Sequence, residues 1–402
     1  VASELADVLW RLVVLLVGAK LLGELAERLR QPAVLGELVA GVLLGPTLFR
    51  VVDFAQAGAT TDVLRFVAEL GAVLLLFEVG LETRLRDMVA VGASSLLVAL
   101  VGIVGSFAAG AGVAWLLGRV GFWDAGLLFD VFIGATFTAT SVGITARVLS
   151  DMGKLATAEA RIVLGAAVLD DVGGLLILAL VSALAAGAVS AGALALEAAL
   201  AVGFLVLAVA LGARVAPWLL DRVADSARVR GATTAFAFAL ALAFAFLAES
   251  VGLAAIVGAF AAGIVLSSAR AKPALVERVK GVGDLLVPLF FAFVGAQLDL
   301  HAVGAADAPR VALAVVVLLA VAIVGKLVAG LGVLEEGVSR YAVGVGMVPR
   351  GEVGLIFALL GLTTMVGGEP LLRPWEYAAV LLVVALSTFV TPLWLKRVLS
   401  RA

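Results

Sequence analysis

Cysteine is missing from the 402-residue chain, and histidine occurs once, at His301. Those two absences exclude disulfides, thiol catalysis and any zinc site built from cysteine and histidine. Charge is scarce as well: 14% of residues are charged against 63% hydrophobic, and the formal net charge is −2. Without a basic cluster interleaved with aromatics there is no electrostatic footing for nucleic acid. Short segments of alternating apolar and polar residues are lacking too, which excludes a membrane β-barrel; the stretch from Ala312 to Lys326 is apolar up to its final lysine. Helices are then the remaining way to satisfy a backbone in lipid, and the fold class expected is an all-α polytopic membrane protein.

Cut at polar, glycine and proline breaks, the sequence predicts thirteen spans, at about 6–27, 33–48, 62–81, 89–117, 124–151, 157–186, 192–221, 231–249, 253–269, 276–298, 310–333, 338–365 and 375–397. Connections between them are short, so residues 1–402 read as one integral membrane domain with no soluble domain and with the first span retained. Basic residues orient it. Nineteen of the 28 Lys and Arg fall on one set of loops and ends, among them Arg84, Arg147, Lys154, Arg228 and Arg340. Six fall on the other set: Arg11, Arg50, Arg65, Arg119, Arg310 and Arg373. The positive side faces the cytoplasm, which places the N-terminus outside and the C-terminus inside.

Asp170 and Asp171 stand side by side in an apolar run long enough to cross a bilayer, from Ile162 to Ala179. A carboxylate at mid-membrane costs roughly 2.5–3.5 kcal/mol on insertion scales, so a pair points to ion or proton handling. Neighbouring residues diverge by about 100° around a helix, which gives the two acids separate partners. Lys326 is the one basic residue inside the eleventh span. It is tolerable there if it pairs with Asp170 or Asp171; the other reading is a lysine that snorkels to the interface.

Two spans carry interruptions. In the fifth, Thr136, Thr138, Thr140, Ser141 and Thr145 surround Gly143. Such hydroxyls offer the backbone other partners and, with freed carbonyls, ligate a hard cation; their bland use is packing between helices. In the twelfth, Pro349 and four glycines loosen the backbone around Arg350 and Glu352. That segment reads as a second discontinuous helix or as a proline kink with a self-neutralising Arg350–Glu352 pair. Seven steps of the span count separate the two breaks, so the two helices run oppositely, as in an inverted repeat whose crossing lies at the bilayer midplane.

Other acids and motifs carry less. Glu78 and Glu82 share a face at the inner end of the third span, where Glu78 either lines a cytoplasmic funnel or caps a solvated helix end near Arg84 and Arg86. Asp130 lines an external funnel or pairs at a helix end. Lys20 and Glu24 read as a structural pair, and Gly41 and Gly45 as a weak close-packing motif. Gly281, Gly283 and Asp284 match part of an intramembrane aspartyl protease signature, but both tyrosines, Tyr341 and Tyr377, are followed by alanine, so the required Tyr-Asp pair is lacking. Gly325-Lys326 lacks the glycine and hydroxyl of a phosphate loop.

Taken together, Ala139–Leu149, Leu164–Val172 with Asp170-Asp171, Gly325-Lys326, and Gly344–Ile356 with Pro349-Arg350-Gly351-Glu352 resemble the monovalent cation:proton antiporter-2 family, in particular bacterial sodium/proton antiporters of the NapA type. Gln31-Pro32 with Gly36-Glu37, and Gly80 with Glu82-Thr83, extend the similarity over nearly the whole chain. The resemblance implies a thirteen-span homodimer in a prokaryotic plasma membrane, with a dimerisation part at about 1–60 and 190–250. A core at about 61–190 and 251–402 would move like an elevator. It implies a transporter and no enzyme, exchanging Na+ or Li+ for H+, with no cofactor beyond the transported ions. Asp171 would be the principal ion and proton carrier. Asp170 would pair with Lys326, and Thr140 and Ser141 would lie by the site, with Arg350 and Glu352 compensating charge. An acid rather than an amide at Asp170 favours electrogenic exchange. Glu78 and Asp130 depart from the family pattern. The rival reading on the same fold is K+/H+ exchange or K+ efflux.

Overall fold

The computed structural model describes residues 2–53, 58–123, 126–185, 191–298, 307–366 and 369–400. Among them are sixteen α-helices: α1 (Ala2–Arg28), α2 (Ala33–Leu44), α3 (Ala59–Glu82), α4 (Leu85–Ala90), α5 (Gly92–Arg119), α6 (Leu127–Thr136), α7 (Val142–Asp151), α8 (Ala158–Ala185), α9 (Ala191–Ser226), α10 (Ala232–Ser250), α11 (Ala255–Leu266), α12 (Lys272–Ala296), α13 (Ala308–Leu327), α14 (Arg340–Gly346), α15 (Glu352–Thr363) and α16 (Pro374–Leu399). A 3-10 turn, Val328–Gly332, prolongs α13, and a two-residue antiparallel hairpin, Met365–Val366 with Glu369–Pro370, joins α15 to α16. Local chemistry fixes several starts. Proline occupies the first turn of α12, α13 and α16, where its missing N–H is no loss. At α16 the Glu376 carboxylate also accepts from the Arg373 N–H at 2.8 Å.

Six helical stretches among the described residues are long and apolar enough to cross a membrane: Gly92–Arg119, Ala198–Ser226, Ala232–Ser250, Lys272–Ala296, Ala308–Gly332 and Pro374–Leu399. The stretches expected at 33–48 and 253–269 form shorter helices, α2 and α11, of 12 residues each. Each spans about 18 Å against a hydrocarbon core of about 30 Å. After α2 comes Gly45-Pro46, where the proline cannot continue a helix, and after α11 comes Ser267-Ser268.

By packing, the chain divides into two compact units. Unit 1 comprises Val1–Ala90, Leu149–Thr157 and Leu196–Gln297; unit 2 comprises Val91–Val148, Ala158–Ala195 and Leu298–Ala402. Residues 61–90 and 251–297 thus pack with 1–60 and 196–250. In unit 1, α2 lies between α1 and α12, and α3 lies against α11 and α12. Gly41 and Gly45, discounted as a weak motif, make the α2–α12 approach: a Cβ on Gly41 would sit 2.0 Å from the Ala292 carbonyl oxygen, and one on Gly45 2.9 Å from the Ala296 Cα. Only glycine fits there. The Lys20–Glu24 pairing is replaced by one a turn later, Glu24 with Arg28 at 2.9 Å; the guanidinium fork reaches a carboxylate more readily than an ammonium does.

Unit 2 is built around α5, which packs against α6, α8, α13 and the 3-10 turn. Phe132, Phe137, Leu318, Phe357, Trp375 and Val383 fill the apolar interior between α6, α13, α15 and α16. Elsewhere the apolar surface faces outward. The crossing-length part of α9 is only 6% buried and exposes Leu200, Val206, Leu207, Leu211 and Trp218. That much continuous apolar surface requires a non-aqueous neighbour.

Candidate ion site at the crossing of two helix breaks

α6 ends at Thr136 and α7 begins at Val142; α14 ends at Gly346 and α15 begins at Glu352. The intervening residues leave the helix for the reasons their sequence supplies, hydroxyls in the first gap and Pro349 in the second. The two gaps then bond to each other. The Ser141 N–H donates to the Pro349 carbonyl at 2.8 Å, the Thr140 hydroxyl to the Met347 carbonyl at 3.1 Å, and the Thr145 hydroxyl to the Gly346 carbonyl at 2.7 Å. Thr136 and Thr138 turn back on their own segment, to the Phe132 and Ala135 carbonyls. Gly351 allows the contact, because a Cβ there would lie 2.6 Å from Ser141 Oγ.

Arg350 is fully buried within this crossing. One end nitrogen donates to the Ala139 carbonyl at 2.7 Å and the other to the Ala322 carbonyl of α13 at 3.0 Å, with Phe137 under the guanidinium at 6.0 Å. Thr388 of α16 donates to the Arg350 carbonyl. The guanidinium therefore pins the first gap and α13 together, placing a buried positive charge on two backbone carbonyls. The Glu352 side chain lies outside the described residues.

One turn of α13 beyond Ala322, the Lys326 ammonium donates to both oxygens of Asp170, each at 2.9 Å, and both side chains have no solvent exposure. This geometry removes the snorkelling alternative. Asp171, 6% exposed, occupies the next position on α8. Three residues after it, Gly174 faces Ala139, its Cβ position 3.8 Å from the alanine Cβ, which sets that face of α8 beside the first gap. The two acids are thus served differently, Asp170 by the amine and Asp171 on the turn that adjoins the crossing.

The remaining acids fall elsewhere. Glu78 belongs to unit 1 and is 8% exposed; its Oε2 lies 3.3 Å from the Cβ position of Gly283 in α12. It is not a solvated helix end, because α3 and α12 close over it. Asp130, in the first turn of α6, is also buried, and its Oδ1 has no hydrogen-bond partner among the described residues. Thr388 and Ala322 were not singled out from the sequence. Ser387, Thr388 and Thr391, three hydroxyls just ahead of Pro392 in α16, were the available signal for Thr388; a carbonyl acceptor such as that of Ala322 leaves no mark in a sequence.

Buried opposite charges beside two mutually bonded helix breaks define a transporter-type membrane site. The family signature described as "Sodium/hydrogen exchanger, transmembrane" matches residues 12–401, and the chain belongs to that family. It is 35% identical to the high-affinity Na+/H+ antiporter NhaS3 of Synechocystis sp. over 99% of this chain and 91% of that protein. It is 32% identical to the Na+/H+-K+ antiporter GerN of Bacillus cereus over 96% of this chain and 95% of that one. Its fold is similar to that of the sodium proton antiporter MjNhaP1 from Methanocaldococcus jannaschii, with a TM-score of 0.66, 15% identity, and 97% and 96% of the two chains covered. At family level the protein is therefore a multi-pass membrane transporter of the cation/proton exchange class.

Proposed function

We propose that the protein exchanges Na+, or Li+, for H+ across a prokaryotic plasma membrane, by elevator-type alternating access in a homodimer of thirteen-span subunits. The reading includes inverted repeats whose two discontinuous helices cross at mid-membrane, with the N-terminus outside and the C-terminus inside. The observation that carries it is the closed Lys326–Asp170 pair next to Asp171 and the bonded gaps. A cation arriving at Asp171 competes with protons for carboxylate oxygens, and its charge weakens the hold of Asp170 on the ammonium. Thr140 and Ser141 stand at the gap, with oxygens suited to a hard cation. If loading one cation releases protons from two of Asp170, Asp171 and Lys326, each cycle moves net charge.

Protein reconstituted in liposomes containing a pH dye tests this. Na+ added on one side should move protons, an imposed potential should change the rate, and Asp171→Asn should abolish the flux. Full flux in that variant refutes the assignment. K+/H+ exchange is the second reading, favoured by the K+ in the name of GerN; the same preparation given Na+, Li+ and K+ in turn decides between them.

A further inference from the structure

On α5, Gly102 and Ser106 stand one turn apart on the face turned to α13. A Cβ on Gly102 would lie 3.6 Å from Lys326 Nζ, and the Cβ position of Gly325 lies 2.8 Å from the Ser106 Cα. Ser106 is completely buried, and its hydroxyl has no hydrogen-bond partner among the described residues. Buried hydroxyls are almost always bonded, so one left over beside a charged group calls for an explanation. In a helix the Cα–Cβ bond tilts toward the N-terminus, so the Ser106 side chain leans toward the turn of Gly102, about 6 Å along the axis, where Nζ stands. A lysine side chain swings over that distance by changing rotamers.

The charges acting on Lys326 are Asp170 and Asp171 of α8 and Arg350 in the second gap. The face of α5 beside it offers none; Arg119, the helix's one charged residue, is at its far end. When a cation or a proton occupies Asp170, the ammonium loses its acceptor and must find another in a dry interior. We propose that Ser106 is that acceptor: its hydroxyl receives the Lys326 ammonium in the loaded state, which makes Ser106 a positioning residue for exchange. The proposal rests on the exchange reading given above.

Kinetics of the full-length protein in liposomes test it. Ser106→Ala should raise the KM for Na+ roughly tenfold, the loss of one hydrogen bond to a charged group, while the maximal rate stays within about twofold. Ser106→Cys, nearly isosteric with a weak acceptor, should fall between. The melting temperature without Na+ should not drop, because the empty state uses no bond from this hydroxyl. In a Lys326→Gln background, Ser106→Ala should leave Na+-induced thermal stabilisation unchanged. A wild-type KM in Ser106→Ala, or an equal loss in the Lys326→Gln background, overturns the proposal alone. Wild-type protein that moves no protons on Na+ addition overturns the exchange reading and the proposal with it.

Discussion

Lys326 and Asp170 are held by each other and by little else, so each is hostage to its partner. Asp170→Asn leaves an ammonium buried without its carboxylate, a loss of about 3–5 kcal/mol for breaking such a pair. The expected result is a large drop in melting temperature of the detergent-solubilised protein, most of it recovered in Asp170→Asn with Lys326→Met. An unchanged melting temperature in the single variant would mean that the pair does not hold the ammonium. These residues were legible because charge inside an apolar run is conspicuous. Which of the two acids takes the amine came only from the family resemblance, which gives Asp170; the residues by themselves left both open, since positions i and i+1 differ only by rotation about a helix whose orientation the sequence does not state. Ser106 and Thr388 stayed hidden because serine and threonine are common in membrane helices for packing alone.

At the scale of elements, the crossing depends on Gly351 having no side chain. Gly351→Ala would place a Cβ 2.6 Å from Ser141 Oγ and 2.7 Å from Ser141 Cβ, closer than packed atoms approach. The melting temperature of the detergent-solubilised protein should fall in that variant, and adding Ser141→Gly, which removes both obstructing atoms, should recover most of it, whatever loss of the Ser141 oxygen does to exchange. Failure of the second change to recover the melting temperature would locate the damage elsewhere. The breaks at 137–141 and 347–351 could be read from hydroxyls, glycines and Pro349, because those residues weaken a helix by their own chemistry. The ends of α2 and α11 also carry their signal, Gly45-Pro46 after the one and Ser267-Ser268 after the other; the expected spans at 33–48 and 253–269 run past them because a membrane-crossing helix needs more residues than either holds.

For the whole molecule, the want of cysteine is an experimental convenience. Arg119→Cys and Arg228→Cys each introduce a single exposed thiol, on opposite sides of the bilayer by the basic-residue count. A membrane-impermeant thiol reagent applied to intact cells should modify position 119 and spare position 228 until the membrane is opened; the reverse pattern would invert the orientation. The bounds of the two packed units carry no mark in the residues themselves, because the segments of each are interleaved along the chain and hydropathy is similar in both; an interleaved two-part division was implied only by the family resemblance. Asp170, Asp171, Lys326, Arg350 and both gaps all belong to unit 2. The Lys326–Asp170 pair, the Arg350 anchors and the bonds between the two gaps are therefore all internal to one piece of protein, and a variant that disturbs only the packing of unit 1 should leave their geometry as it is.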